Sequence, residues 1–264
     1  MLSSVFLKGL RDRRVSLAWW AVGLLLFILM QIAFYPSMKD NKSIQEYMES
    51  APDALVAFTG TTDISSPVGY LNSQFYFLMF PILLTILAIS IGSDALAGEE
   101  GRGTLDLLLS APLTRGRLLL EKYATLAAAV ALEALVIYAV TALSALAVGM
   151  DLDFLKLAEA TFSLLLLALA FGALALLLGA ATGSRGLAVG ITAALGLGAY
   201  VLNSLALVVE GLKPWRRLSP VYYYGGNDPL ANGLKGSHVL VLLALTAVFL
   251  GGSLALFRRR DLSA

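Results

Sequence analysis

Apolar residues gather along this chain into long blocks parted by short charged stretches. Each block is close to the ~20 residues that a helix needs to cross ~30 Å of hydrocarbon. Six spans are predicted, at about 17–35, 73–95, 123–149, 160–182, 187–209 and 238–257. No water reaches that depth to satisfy the backbone, so each span must bond to itself as a helix. A transmembrane barrel would show alternating strands, and nothing here alternates. The expected fold class is therefore an all-α integral membrane protein, one transmembrane domain over 1–264. It should carry an N-terminal interfacial helix and a short cytoplasmic helix between spans two and three.

The interfacial helix is placed at 1–16. Leu2, Val5, Phe6 and Leu10 share one face, with Lys8, Arg11, Arg13 and Arg14 elsewhere, a pattern that suits the headgroup layer. The apolar stretch from Leu17 to Tyr35 is too long for a cleavable signal core and reads as a retained span. Two outer segments exceed simple turns. Residues 36–70 hold an amphipathic stretch (Ile44, Tyr47, Met48, Leu55, Val56, Phe58) broken near Pro52. Residues 211–237 hold Trp215 and the run Tyr222, Tyr223, Tyr224, which suit the membrane interface. In the fifth span Gly186, Gly190, Ala194 and Gly198 recur every four residues. Such a stripe lets a helix approach closely, within the bundle or between two copies.

Composition agrees: 58% of the 264 residues are hydrophobic and 14% charged, against about 25% charged in soluble domains. Mean hydropathy is +0.80. Charge then orients the spans. With the N-terminus inside, the inner segments hold Lys8, Arg11, Arg13, Arg14, Arg102, Arg115, Arg117, Lys122, Arg185 and Arg258–Arg260. The outer ones hold Lys39, Lys42, Lys156, Lys213, Arg216, Arg217 and Lys235. The excess predicts both termini in the cytoplasm. There is no cysteine and one histidine, His238, which excludes disulfides, thiolate nucleophiles and the usual zinc sites. A net charge of +1 gives no field for nucleic acid.

The largest cytoplasmic segment is 93–122. Within it Thr104–Ser110 is a short helix candidate, stopped by Pro112, and Thr114 is placed to cap the third span. A leucine-rich element between charged flanks suits a partner's groove or, equally, a helix lying flat beneath the bilayer. Gly98-Glu99-Glu100-Gly101-Arg102-Gly103-Thr104-Leu105-Asp106-Leu107-Leu108-Leu109-Ser110-Ala111-Pro112-Leu113-Thr114-Arg115, closed by Lys122, resembles the E-x-G-T-L-(D/E)-L-L-L-(S/T)-x-P-(V/L)-(S/T)-R pattern of ABC transporter permeases of the type-2 exporter class. Ser219-Pro220 through Asp228-Pro229-Leu230, and the ending Phe257-Arg258-Arg259-Arg260-Asp261-Leu262, are similar to that family too.

The resemblance implies a permease subunit in the cell membrane of a bacterium or archaeon. It implies two cytoplasmic ABC ATPase subunits and a second permease, either another copy or a sister chain. It also implies that 93–122 docks on the ATPase. Glu99, Glu100 and Arg102 would make charged contacts and Leu105 and Leu108 would fill a hydrophobic groove, with Thr104, Pro112 and Arg115 completing the motif. A P-loop needs Gly-Lys-Ser/Thr, and none of the seven lysines follows a glycine. No cofactor is expected in this chain; ATP and magnesium belong to the partner.

Glu133 falls near mid-depth of the third span. A charge there is costly, so it either lines a translocation or proton path or bonds between helices, with Asn203 as the nearest candidate. Two other readings stay open. One is a proton-coupled secondary transporter using Glu133; the other is a non-transporting assembly or regulatory subunit. His238 beside Ser237 lacks the Gly-x-Ser-x-Gly turn of a hydrolase and reads as a solvated helix start.

Overall fold

A computed structural model describes residues 4–39, 63–105, 108 and 114–259. All regular structure among the described residues is helical, and six helices are long and apolar enough to cross a membrane. They are α1 (Val5–Ala33), α2 (Pro67–Gly101), α3 (Arg115–Ala147), α4 (Phe154–Thr182), α5 (Arg185–Val208) and α6 (Gly236–Arg259). The amphipathic stretch expected around 44–58 and Pro112 lie outside the described residues.

Helix starts follow local chemistry. Ser4, Thr114, Asp153 and Ser184 each turn a side-chain oxygen onto first-turn amides of α1, α3, α4 and α5. Each satisfies donors that the helix cannot reach itself. Thr114 thus caps α3 as expected, accepting from Arg117 N at 3.3 Å. The leader does not form a separate element. α1 runs unbroken through residue 17 because no proline or turn pair interrupts it. Its 29 residues are about 43 Å long, more than the ~30 Å of one hydrocarbon crossing, so the stretch bearing Lys8 and Arg11 is a continuation of the span.

α2 is irregular. Pro81 has no N–H for the carbonyl of Phe77, and the helix loosens there: a π turn covers Asn72–Tyr76 and regular winding resumes at Met79. A mid-helix proline forces such a repair. A second π turn covers Asp94–Gly98.

α4 is the centre. It packs on α2, α3, α5 and α6, while α1 lies along α3. In its apolar window 67% of residues are buried, against 22% for α1 and α5 and 11% for α6. Small residues allow this. A Cβ on Gly92 of α2 would lie 2.3 Å from the carbonyl oxygen of Gly172 of α4, so the two backbones meet only because Gly92 is glycine. The stripe Gly186, Gly190, Ala194, Gly198 finds no mate among the described residues. All four residues are exposed on the outer side of α5, and a side chain at any of the three glycines would meet nothing within 4 Å.

The bundle has a terminal face, holding the α1 start and the α6 end, and an opposite face. On the opposite face the segment after α5 folds back as a 3-10 turn, Glu210–Leu218, and two short helices, Pro220–Gly225 and Pro229–Asn232. Tyr224 is buried and donates to the carbonyl oxygen of Tyr76. Ser163 donates to the Tyr224 carbonyl at 2.9 Å, and Lys156 to that of Ala231 at 2.7 Å. The Tyr run is therefore not an interfacial belt throughout. His238 is not a solvated terminus either: it is 7% exposed, against the rings of Tyr222 and Tyr223.

Glu133 is fully buried and neither carboxylate oxygen has a hydrogen-bond partner. The Asn203 contact considered for it is not made; Asn203 Oδ1 instead accepts from Arg216 Nε at 3.0 Å. α3 and α5 do not bring the two side chains together, because α4 and α2 stand against both. A buried group without partners costs about 1–3 kcal/mol. Glu133→Met is therefore expected to raise the thermal midpoint of the purified protein in detergent. A lowered midpoint would show that the carboxylate stabilises the fold.

Candidate functional site

At the terminal face the residues closing α2 form a knot of charge. Three features of the local sequence build it. The spacing Asp94, Gly98, Arg102 puts all three on one side of the helix end. Gly98 leaves the space that Asp94 fills: a Cβ there would lie 2.1 Å from Asp94 Oδ1. The π turn Asp94–Gly98 rotates this face toward α1 and α5.

Asp94 is the hub. Its Oδ2 lies 2.6 Å from Arg13 Nη2 of α1, and its Oδ1 lies 2.8 Å from Arg102 Nη1. Arg185 Nη1, at the start of α5, stands 3.8 Å away. One carboxylate, 14% exposed at its side chain, thus gathers three guanidinium groups. The hydrogen bond to Asp94, more than the neighbouring negative charges, holds the Arg102 guanidinium above its ordinary pKa.

Glu99 is the second node. It accepts from Lys122 Nζ of α3 and from Thr104 Oγ1, and Arg102 Nη2 stands 3.9 Å away. Glu121 of α3 closes the ring. Its Oε2 accepts from the free amides of Val5 and Phe6 at 2.7 and 3.3 Å, a carboxylate at a helix N-terminus where the dipole favours it. Its Oε1 binds Arg117 Nε at 2.9 Å. Between these groups lies a recess of about 560 Å³, lined by Lys8, Asp12, Arg13, Asp94, Glu99 and Lys122 among others.

The motif residues then fall into place. α2 ends through the Gly103 amide bonding to the Glu100 carbonyl at 2.9 Å and the Thr104 amide to the Glu99 carbonyl at 3.0 Å. The Thr104 carbonyl accepts from Leu108 N at 3.2 Å; the rest of the short helix expected at 104–110 lies outside the described residues. Leu105, expected to fill a partner's groove, has neighbours within its own chain. Leu105 is 3% exposed, packed in its own chain with Ala95, Leu96, Leu118, Leu119, Leu176 and Phe257, and Leu108 leans on the same cluster. Apolar side chains at a water-facing helix end cover the nearest apolar surface, which here is intramolecular. Arg115 donates to the Phe257 carbonyl at 3.1 Å and lies over its ring. The motif after α2 and the chain's last helix thus meet in space. Among the described residues of this segment, the knuckle Gly101, Arg102, Gly103 is exposed and Glu100 half-exposed.

Asp94, Arg13 and Glu121 are central here and were not among the expected site residues. The signal for Asp94 in the sequence was the four-residue spacing of Asp94, Gly98 and Arg102. For Arg13 and Glu121 there was none, since their partners lie on other helices.

A family model described as ABC-2 family transporter protein matches residues 3–262 of the chain. A probable ABC transporter permease protein, NosY, of Pseudomonas aeruginosa is 34% identical over 235 residues, covering 77% of this chain and 83% of that relative.

Asp94→Asn removes the charge that three guanidinium groups share. Hydrogen bonds to charged groups contribute about 1.5–3 kcal/mol, so the variant is expected to unfold about 2 kcal/mol more easily. Gly98→Ala should act in the same direction by displacing the Asp94 carboxylate. Denaturant or thermal unfolding with both variants checks this; an unchanged midpoint in both would mean the hub adds nothing to stability.

Proposed function

The chain belongs to the ABC-2 family of transporter proteins, and on that footing we propose that it is the permease subunit of an ATP-driven exporter. It works with two copies of a separate ATP-binding subunit and with a second permease, a copy of itself or a sister chain. In this reading the terminal face is cytoplasmic and the protein sits in the cell membrane of a bacterium or archaeon. The lysine and arginine excess at that face supports the orientation.

The observation that carries the proposal is the Asp94 hub. It ties the segment after α2 to α1 and α5, and Glu99 ties it to α3. A force applied by a partner to the Gly101–Gly103 knuckle is therefore delivered to the ends of four helices at once. The same force on a free loop would be absorbed locally. The exposed knuckle meets the partner, while Leu105 and Leu108 serve as its footing. ATP and magnesium are held by the partner, since no lysine here follows a glycine as a P-loop requires. The outward stripe on α5 supports close approach of a second permease, because small residues let helix backbones meet in lipid.

A photo-reactive residue at Gly101, where a side chain meets nothing within 4 Å, is expected to capture the ATP-binding subunit. One at Leu218, 70% exposed on the opposite face, is not. Capture from Leu218 alone, in an intact complex, would overturn the orientation. Asp94→Asn is further expected to co-purify with the ATPase while lowering the complex's ATP turnover several-fold. Unchanged turnover would remove the hub from coupling.

A further inference from the structure

The opposite face holds a recess of about 350 Å³, at the small end of the range for ligand pockets. It lies within one chain, between the starts of α2 and the end of α5, roofed by the segment that returns after α5. Phe77, Leu207, Val221 and Leu230 give it apolar walls, and Asn203, Arg216 and Asp228 give it a polar edge.

Arg216 is fixed there. Its Nε donates to Asn203 Oδ1 at 3.0 Å, and its guanidinium lies over the Tyr222 ring, 5.1 Å from the centroid. Asn203 is itself 5% exposed. Among the described residues no carboxylate pairs with Arg216, and Nη1, Nη2 and Asn203 Nδ2 make no hydrogen bond. Arginine keeps its charge at any pH of interest, although burial draws its pKa below the usual value. A half-buried cation without a counter-charge is costly, and the three unspent donors belong to two residues that line one recess. Asp228, the one carboxylate in the lining, spends Oδ1 on Asn72 Nδ2 at 2.9 Å and on the Ala231 amide at 3.4 Å.

We propose that this recess binds a small monoanionic acid with a short apolar body, its two acidic oxygens taken by the Arg216 fork and Asn203. The planar fork matches a carboxylate or a phosphate diester, which present two oxygens alike. Asp228 disfavours a second negative charge, so dianions are rejected. The apolar walls take a hydrocarbon portion of a few carbons. The acid comes either from solution or from the phosphate diester of a lipid headgroup. The inference concerns a binding property of the single chain and does not rest on the transport reading.

Trp215 neighbours Arg216 and reports on the site. With Trp19→Phe and Trp20→Phe in the full chain, in maltoside micelles, butyrate is expected to change Trp215 fluorescence saturably, and sulfate is not. Arg216→Gln should raise the butyrate dissociation constant at least tenfold, whereas Arg217→Gln, a neighbouring exposed arginine, should leave it within twofold. If Arg216→Gln does not fold, Arg216→Lys serves: it keeps the charge, loses the fork, and should weaken butyrate several-fold. Competition by dihexanoyl phosphatidylcholine assigns the site to a lipid headgroup, and its failure to compete assigns it to a soluble acid. No saturable response to either probe, or an equal response in the Arg216 and Arg217 variants, overturns the proposal.

Discussion

In a bilayer a leucine is as well placed against lipid as against another leucine, so apolar burial alone does not hold helices together. This bundle depends instead on backbones that approach closely and on polar ties that lipid cannot replace. Both begin at α4. Gly172 offers its carbonyl where Gly92 of α2 leaves room for it, and alanines at 168, 173, 175 and 180 are fully or almost fully buried along the same helix. Around that seam α1 and α6 contribute mainly outward surface. The exposed leucines of α1, α5 and α6 need no account beyond the solvent they face.

The polar ties differ at the two ends. At the terminal face they are ionic: Asp94 holds groups from α1 and α5, and Glu99 one from α3. At the opposite face they are mostly hydrogen bonds to carbonyl oxygens, as from Tyr224 to Tyr76 and from Ser219 to Ala199 at 2.7 Å. Ionic ties at a wet end exchange partners readily, because water and salt stabilise the separated charges. Hydrogen bonds buried in an apolar setting break only at the full cost of the unmet groups. The two ends of the bundle are therefore held by ties of different physical kind.

Much of this was legible in the sequence. The spans are functions of length and hydropathy, and the cap at Thr114 is local, so helix existence and this start could be read directly. What failed was tertiary. A helix pattern says which face is apolar but not what covers it, so the sequence could not show that Leu105 joins a cluster reaching to Phe257, 152 positions further on. The four-residue stripe announced close packing, but no local signal says whether the mate is in the same chain. Tyr224 and His238 sit in a stretch whose composition matches an interfacial loop. Only the fold, which returns that stretch to α4 and α6, buries them.

One feature of α2 bears on how such a helix transmits force. Its two π turns, at Asn72–Tyr76 and Asp94–Gly98, each carry a residue more than a regular turn needs. Passing that surplus residue along the helix rotates the part it crosses by about 100° and leaves the anchored ends where they are. The seam with α4 forbids that rotation between the two turns: it would bring Ile91 or Ser93 to the Gly172 carbonyl, where no Cβ fits. Gly92 thus acts as a key that fixes one rotational setting of α2, and the surplus residues stay parked at either end of the seam.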